Sequence, residues 1–425
     1  MLQRSPLQRP DRSLLERSVG PLTAGGIRQS VFTLISTAMG GGVLCLPFAM
    51  MEAGWLLGCL LLLTSACISF FSMLMLIESA NKTRKYSYAS LLAHVMGPWT
   101  APALDLIMIF YGTGALIAYF IFLGDFVPHI VQAAGYPSIE RRFAIMATLA
   151  IAMPLAFPQK LSALKYVSPI STMSLLFTAL VVIFRAPQNH DALEDKAFDA
   201  GHFSSQLLRC FTITLFAFVC HLNVVPVAGE MVEPTPLRIE KVASRVSILL
   251  FIFYALIGVL GYYSFGSSVS QNFMNNYQPD DKLSSISRLM LTLSLFCCLP
   301  INANPTAHAI VHFALATELA PQPSANQGPL ITDIEPLRKV RIGGSAVVLS
   351  VAAVVACYVP GAADVVGILG GSLGNLLMMV CPAIIYKGVF KGQLSTARTI
   401  ALGMMVCSSI LCFIAVAFSL SKLLG

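Results

Sequence analysis

Gly40, Gly41 and Gly42 stand in a row, and Pro47 follows them, inside the first long apolar segment of the chain, about Gly26 to Met50. Glycine raises the entropy cost of ordering a helix, and proline removes a backbone donor. In hydrocarbon each unpaired backbone group costs several kcal/mol, so such a break cannot face lipid. It is tolerable where the freed N–H and C=O groups face a protein-lined cavity and can bind a solute or an ion. A helix N-terminus offers free N–H groups and a positive dipole end, which suit a carboxylate. Gly40, Gly41 and Gly42 would let a ligand approach that backbone closely. The carbonyls near Thr37 to Met39 would suit an ammonium group or a cation.

A second break is expected in the sixth apolar segment, at Cys220-His221-Leu222-Asn223 ahead of Pro226. His221 and Asn223 are costly in hydrocarbon, and Pro226 interrupts the hydrogen-bond ladder. Each break is followed by a proline and then an acid: Pro47 with Glu52, and Pro226 with Glu230. Irregular segments at matching places in two halves point to a repeat with its site between them. A spacing of five helices inverts the second half. Two proline-kinked structural helices would give a similar pattern, but kinks rarely carry three adjacent glycines.

These segments need a bilayer around them. The chain has 425 residues, 56% hydrophobic and 11% charged, against roughly 25% charged in soluble domains. Eleven apolar runs are about the length a membrane core requires, centred near Gly40, Ser65, Ala115, Ala150, Ser174, Phe218, Ile252, Leu295, Val351, Leu373 and Leu411. The expectation is an all-α polytopic membrane protein. It would have a tail over 1–25 and a membrane domain over 26–425. Inverted repeats of about 26–185 and 204–388 would be followed by an eleventh helix at about 397–423.

Net charge is +7, and its placement matters more than its size. With the tail cytoplasmic, 19 of the 27 basic residues fall on the inner side, including Arg28, Lys82, Arg84, Lys85, Lys160, Lys165 and Arg341. That satisfies the positive-inside rule. No basic block is interleaved with aromatics, which argues against nucleic acid as a partner. The eleven cysteines lie in or at the ends of apolar segments, where cysteine packs as a small hydrophobe. The first 25 residues lack the apolar core of a cleavable signal.

Here the chain resembles a known family. Phe218-Val219-Cys220-His221, Val225-Pro226 and Glu230-Met231 are similar to the sixth helix of the amino acid/auxin permease family, and in particular of its sodium-coupled neutral amino acid transporters. Gly40-x-Gly42-Val43-Leu44-x-Leu46-Pro47, then Ala53-Gly54-Trp55, resembles that family's opening signature. Gly367 to Ser372, with Pro382, Ala383 and Tyr386, is a weaker match. The resemblance implies eleven helices, two inverted five-helix repeats with helices 1 and 6 broken (the amino acid/polyamine/organocation transporter type), and secondary transport of amino acids. It implies an integral membrane location, in the plasma membrane or a vacuolar or lysosomal membrane.

The candidate substrate-binding residues are Thr37, Gly40, Gly41, Gly42, Tyr119, Cys220 and Asn223. Tyr119 follows Tyr111-Gly112-Thr113-Gly114, whose small residues permit close helix packing. The candidates for ion coupling are Ser36, Met39, His221, Thr292 and Ser294. Sodium-coupled relatives carry an Asn four residues before the first glycine; Ser36 stands there. Thr292 or Ser294 would complete a sodium site, whereas His221 would serve a proton-driven cycle. No long-lived charge lies at this depth, which favours neutral amino acids. No nucleotide loop, paired catalytic carboxylates or zinc motif is present, so the reading is not an enzyme, and it needs no cofactor beyond a coupling Na+ or H+. The alternatives are a membrane-embedded amino acid sensor and a proton-coupled or facilitative exporter of a vacuole.

Other polar residues have plainer readings. His308 and His312 stand four apart without a third ligand of matching spacing. Asp105 and Asp125 read as solvated helix caps, Arg209 and Arg288 as snorkelling cations near outer helix ends, and Glu230 as a solvated end or a partner of Arg28. Gly370, Gly371, Ser372 and Gly374 read as a helix-packing surface.

Overall fold

A computed structural model describes residues 25–156, 167–193, 198–316, 335–391 and 396–424. Among these every regular element is helical. The first span is split. Helix α1 (Ile27–Ala38) ends at Met39, a 3-10 turn runs over Gly41–Cys45, and α2 (Leu46–Ala53) continues. The two halves are bent by 52°. Then follow α3 (Trp55–Thr83), the short α4 (Tyr88–Met96), α5 (Thr100–Ala133), α6 (Arg141–Leu155) and α7 (Val167–Asp191). The sixth span is also split, into α8 (Gln206–Ala217) and α9 (His221–Glu230). The remainder is α10 (Pro236–Phe265), α11 (Lys282–Ala316), α12 (Glu335–Tyr358), α13 (Ala362–Leu369), α14 (Cys381–Val389) and α15 (Thr396–Leu424).

Eight of these stretches are long and apolar enough to cross a membrane, and the bent pair α1 and α2 makes a ninth. Helices α6 and α15 stand where the fourth and eleventh spans are expected. The protein is thus an all-α, multi-pass membrane protein, with helices at all eleven positions read from hydropathy. The tail, Lys160 and Lys165 lie outside the described residues.

Small residues let the helices approach. A Cβ at Gly112 would strike the Thr306 side chain of α11, and one at Gly114 would strike Leu369 of α13. Helix α3 buries Ser65, Ser69, Ser72 and Ser79 completely, and Ser65 meets Thr214 of α8 at 2.9 Å. Gly54, at φ +85°, turns the chain from α2 into α3 against the backbone of Gly201, a conformation that favours glycine.

Each crossing reverses direction, so the bundle has a Gly26 end and a Gly54 end. The Gly54 end is clamped. Trp55 and Leu56 donate to the carbonyls of Asp199 and Ala200, and His202 donates to Ala53. The carboxylate of Asp125 pairs with Arg141 at 3.1 Å and accepts from Asn272 at 3.0 Å. It is therefore not a solvated cap. The turn Phe273–Asn276 folds over this end and presents carbonyls, and Arg288, with no exposed surface, donates to Met274 at 2.8 Å and to Tyr277. Arg209 is enclosed too. Neither arginine snorkels: loop carbonyls hold Arg288, and the carboxylates of Glu52 on α2 and Asp364 on α13, at 3.0 and 2.8 Å, hold Arg209.

Candidate functional site

The two breaks face each other across the middle of the bundle. The first lies at Met39 and Gly40, between the C-terminus of α1 and the 3-10 turn. The second lies at Phe218–Cys220, with Cys220 as the cap before α9. It precedes the expected position, and Pro226 sits inside α9. The reason is local. Phe218 and Val219 close tight turns onto Leu215 and Phe216, which ends α8 before Pro226 is reached.

Tyr254 of α10 binds the breaks together. Its buried hydroxyl lies 3.0 Å from the carbonyl of Ala38 and 2.8 Å from that of Ala217, the last residues of α1 and α8. Its ring meets Phe218 edge-on. Two helix ends that would otherwise carry orphan carbonyls thus share one donor.

A cavity of about 370 Å³ opens beside the breaks. Ser36, Thr37, Met39, Gly40, Gly41, Tyr119, Asn223 and Ser294 line it, together with Tyr111, Asn302, Thr306 and apolar residues of α7 and α11. A smaller space of about 110 Å³ continues past the first break and adds Gly42, Cys220 and His221. Among the described residues no Asp, Glu, Lys or Arg lines either space. Thr37 and Asn223 are solvent-exposed although both lie in mid-membrane. In α9 the exposed positions continue through Pro226, Gly229 and Glu230, so the cavity opens toward the Gly26 end.

The three glycines divide the work. Gly40 faces Tyr119, whose hydroxyl would lie 3.6 Å from an added Cβ. Gly41 is packed on Phe122, and Gly42 on Phe216 and the Ala217 backbone. Gly42 therefore lets the two breaks approach, Gly41 lets Phe122 of α5 approach the first break, and Gly40 presents backbone to the cavity.

The ion-coupling candidates separate as well. Ser36 meets Thr172 of α7 at 3.3 Å, and Ser294 of α11 donates to Ser171 of α7 at 2.7 Å. Helix α7 thereby gathers hydroxyls from three spans at the cavity wall. Thr292, two residues before Ser294, has a buried hydroxyl with no hydrogen-bond partner among the described residues and lies away from the cavity lining. His221 has no exposed surface, and neither ring nitrogen has a hydrogen-bond partner among the described residues. Cys220 is buried, its sulfur 4.0 Å from that of Met73.

Reasoning from sequence missed Tyr254, Asn302, Ser171 and Thr172. Asn302 was visible as an amide in an apolar segment, where polar groups mark function. Its amide nitrogen donates to the Cys298 carbonyl at 3.0 Å. The others sit in segments that read simply as apolar.

Paired helix breaks around a water-accessible, uncharged cavity in an all-α membrane bundle define the class of membrane transporters. The solved structures agree on the fold. A manganese transporter of Eremococcus coleocola matches with a TM-score of 0.59 at 10% identity, covering 94% of this chain and 88% of that one. A Na+-coupled sialic acid symporter matches at 0.52 and 11% identity, covering 94% and 90%. The chain belongs to the family described as "Transmembrane amino acid transporter protein", which it matches over residues 23–424. It is 34% identical over 312 residues to the Toxoplasma gondii protein named "Putative amino acid transporter AAT1", covering 72% of this chain and 43% of that protein. It is 27% identical to "Vacuolar amino acid transporter 5" of Saccharomyces cerevisiae, covering 69% and 68%. It is 25% identical to human "Solute carrier family 38 member 10", covering 89% and 34%. The chain thus spans less than half the length of two of these three relatives.

Proposed function

We propose that this protein is a secondary active transporter that carries neutral amino acids across a membrane by alternating access. The observation that carries this is the exposure of Thr37 and Asn223, one from each broken span, to one uncharged cavity at mid-membrane. Free N–H groups at the start of the 3-10 turn and of α9 suit the substrate carboxylate. The carbonyls of Thr37 and Met39, whose residues line the cavity at the first break, suit its ammonium group. Tyr111, Tyr119 and Asn302 supply hydroxyl and amide groups on the facing wall. A charged substrate side chain would enter this space without a counter-charge, which is costly at low dielectric.

Basic residues gather on the side of Lys82, Arg84 and Lys85, which supports a cytoplasmic Gly26 end. The cavity then faces the cytoplasm, and the clamped Gly54 end faces outside or a vacuolar lumen. The vacuolar name of the yeast relative supports a lumen as well as a cell exterior. Inverted repeats over about 26–185 and 204–388, with α15 outside them, remain the domain organisation we propose. Sodium is the favoured coupling ion, because Ser36, Ser171, Thr172 and Ser294 place neutral oxygens beside the carbonyls of the first break, and hard cations take oxygen ligands. Protons acting through His221 are the rival.

Uptake by proteoliposomes, across a panel of amino acids with imposed sodium or proton gradients, tests the proposal. Neutral amino acids should accumulate, and acidic and basic ones should not. Binding of an amino acid with no uptake under any gradient would favour a membrane-embedded sensor instead.

A further inference from the structure

We propose that α3, α14 and α15, where they meet at the Gly26 end, form a binding site for a phospholipid whose headgroup carries phosphomonoester groups. The site lies apart from the cavity between the breaks, and it holds whether or not that cavity carries a transported solute.

The end of α3 gathers the first cations. The helix closes at Arg84, a left-handed cap at φ +57° whose N–H donates to the Ala80 carbonyl. Lys85 donates to the same carbonyl at 3.2 Å. This closure keeps Lys82, Arg84 and Lys85 together at the helix end. Helix α14 ends with Lys387 in its last turn, and Phe390 and Lys391 follow. The Lys82 ammonium sits 4.0 Å from the centre of the Phe390 ring, which stacks on Tyr386 at 4.5 Å. That cation–π contact holds the two helix ends side by side. The third span joins through Arg398 near the start of α15, which pairs with Glu78, one turn before Lys82, at 2.6 Å. Three spans thus bring Lys82, Arg84, Lys85, Lys387, Lys391 and Arg398 to one junction.

The charge there is not balanced. Glu78 is the sole acid in the sequence of these three helices, and Arg398 takes it. Among the described residues no carboxylate pairs with the other five cations. Lys82, Arg84, Lys387 and Lys391 are exposed. The start of α10, at the same end of the bundle, is different. There Arg238, Lys241 and Arg245 stand among Glu233 and Glu240, and Arg238 pairs with Glu233 at 3.9 Å. Membrane orientation requires inner-side cations but not their convergence on one junction. Like charges held together repel, so the junction favours an anion. Lysine binds phosphate as a point charge. A phosphomonoester carries about −1.5 to −2 charge, so a headgroup bearing several matches five cations better than one phosphodiester does. Clusters of about four to eight Lys and Arg beside membrane helices bind such headgroups. A lipid brings its phosphates to these helix ends without leaving the bilayer.

Native mass spectrometry of the full chain in detergent, titrated with dioctanoyl phosphatidylinositol bisphosphate, tests this. That lipid should bind at least about tenfold more tightly than dioctanoyl phosphatidylserine. Lys387→Gln with Lys391→Gln removes two exposed cations and should weaken binding about fivefold for each, about twentyfold together. Lys241→Gln with Arg245→Gln, on α10, should leave the affinity unchanged. Wild-type affinity in the α14 double variant would overturn the site, as would an equal loss in the α10 double variant. Equal affinity for the two lipids would overturn it too, since the cations would then only orient the chain. Free inositol trisphosphate carries phosphates without acyl chains and should compete poorly. Competition as strong as the lipid's would assign the junction to a soluble polyphosphate and contradict the proposal. Binding is read without uptake, so a protein that holds the lipid and does not transport would count against the transport reading and not against this site.

Discussion

Ser294 donates a 2.7 Å hydrogen bond to Ser171, and this bond joins α11 to α7 at the level where Ser36 of α1 reaches Thr172. Hydroxyls from three spans thereby share one wall of the cavity.

That gathering sets the first prediction. Ser294→Ala and Ser36→Ala should each raise the sodium concentration for half-maximal uptake several-fold, with little change in substrate affinity at saturating sodium. Thr292→Ala should leave it unchanged, since the Thr292 hydroxyl lies off the cavity. The check is uptake against sodium concentration. Accumulation that persists without sodium under an inward proton gradient would contradict it.

His221 gives a second prediction. Its ring is sealed from solvent, and neither nitrogen has a hydrogen-bond partner among the described residues. His221→Asn should therefore preserve the pH profile of uptake, measured between pH 5 and 8, the range in which an unperturbed histidine titrates. A flattened profile would move the coupling from the hydroxyl wall to His221.

The glycines behave differently from one another. Gly42→Val pushes a branched side chain into Phe216 and the Ala217 backbone and should separate the two breaks. Uptake should fall about a hundredfold, the scale expected when a site is displaced by an ångström. Gly40→Ala faces only the Tyr119 hydroxyl, at 3.6 Å, and should be far milder. Equal losses at both positions in well-expressed protein would show that the close approach of the breaks is not what Gly42 provides.

Tyr254→Phe removes the donor shared by Ala38 and Ala217. Leaving buried carbonyls unpaired costs about 1–3 kcal/mol. The variant should melt several degrees lower and transport more slowly, both measurable on purified protein. A wild-type melting temperature would show that the bridge carries no weight.

Much of the fold was legible because hydropathy and helix breaking are local properties. The run Gly40 to Gly42 announces its break from three adjacent residues, and Ser36 and Asn223 follow from their distance to a break. Pro226 draws the expected second break to Cys220–Asn223, about two residues past its place at Phe218–Cys220. Side-chain partners across the bundle left no local trace. Arg209 looked like a snorkelling cation because Glu52 and Asp364 are 157 and 155 residues away in the chain. Asp125 looked like a solvated cap for the same reason. Tyr254 and Thr172 sit in ordinary apolar periodicity, and only packing shows that both reach the first broken span.

The central claim is that an amino acid occupies the cavity between the two breaks. Substrate protection of Thr37→Cys against a thiol reagent, followed peptide by peptide with Cys298→Ser in the background, tests it most directly. A transported neutral amino acid should slow labelling at position 37 with a half-effect near its transport KM. Undiminished labelling under saturating substrate, in protein that still transports, would contradict it.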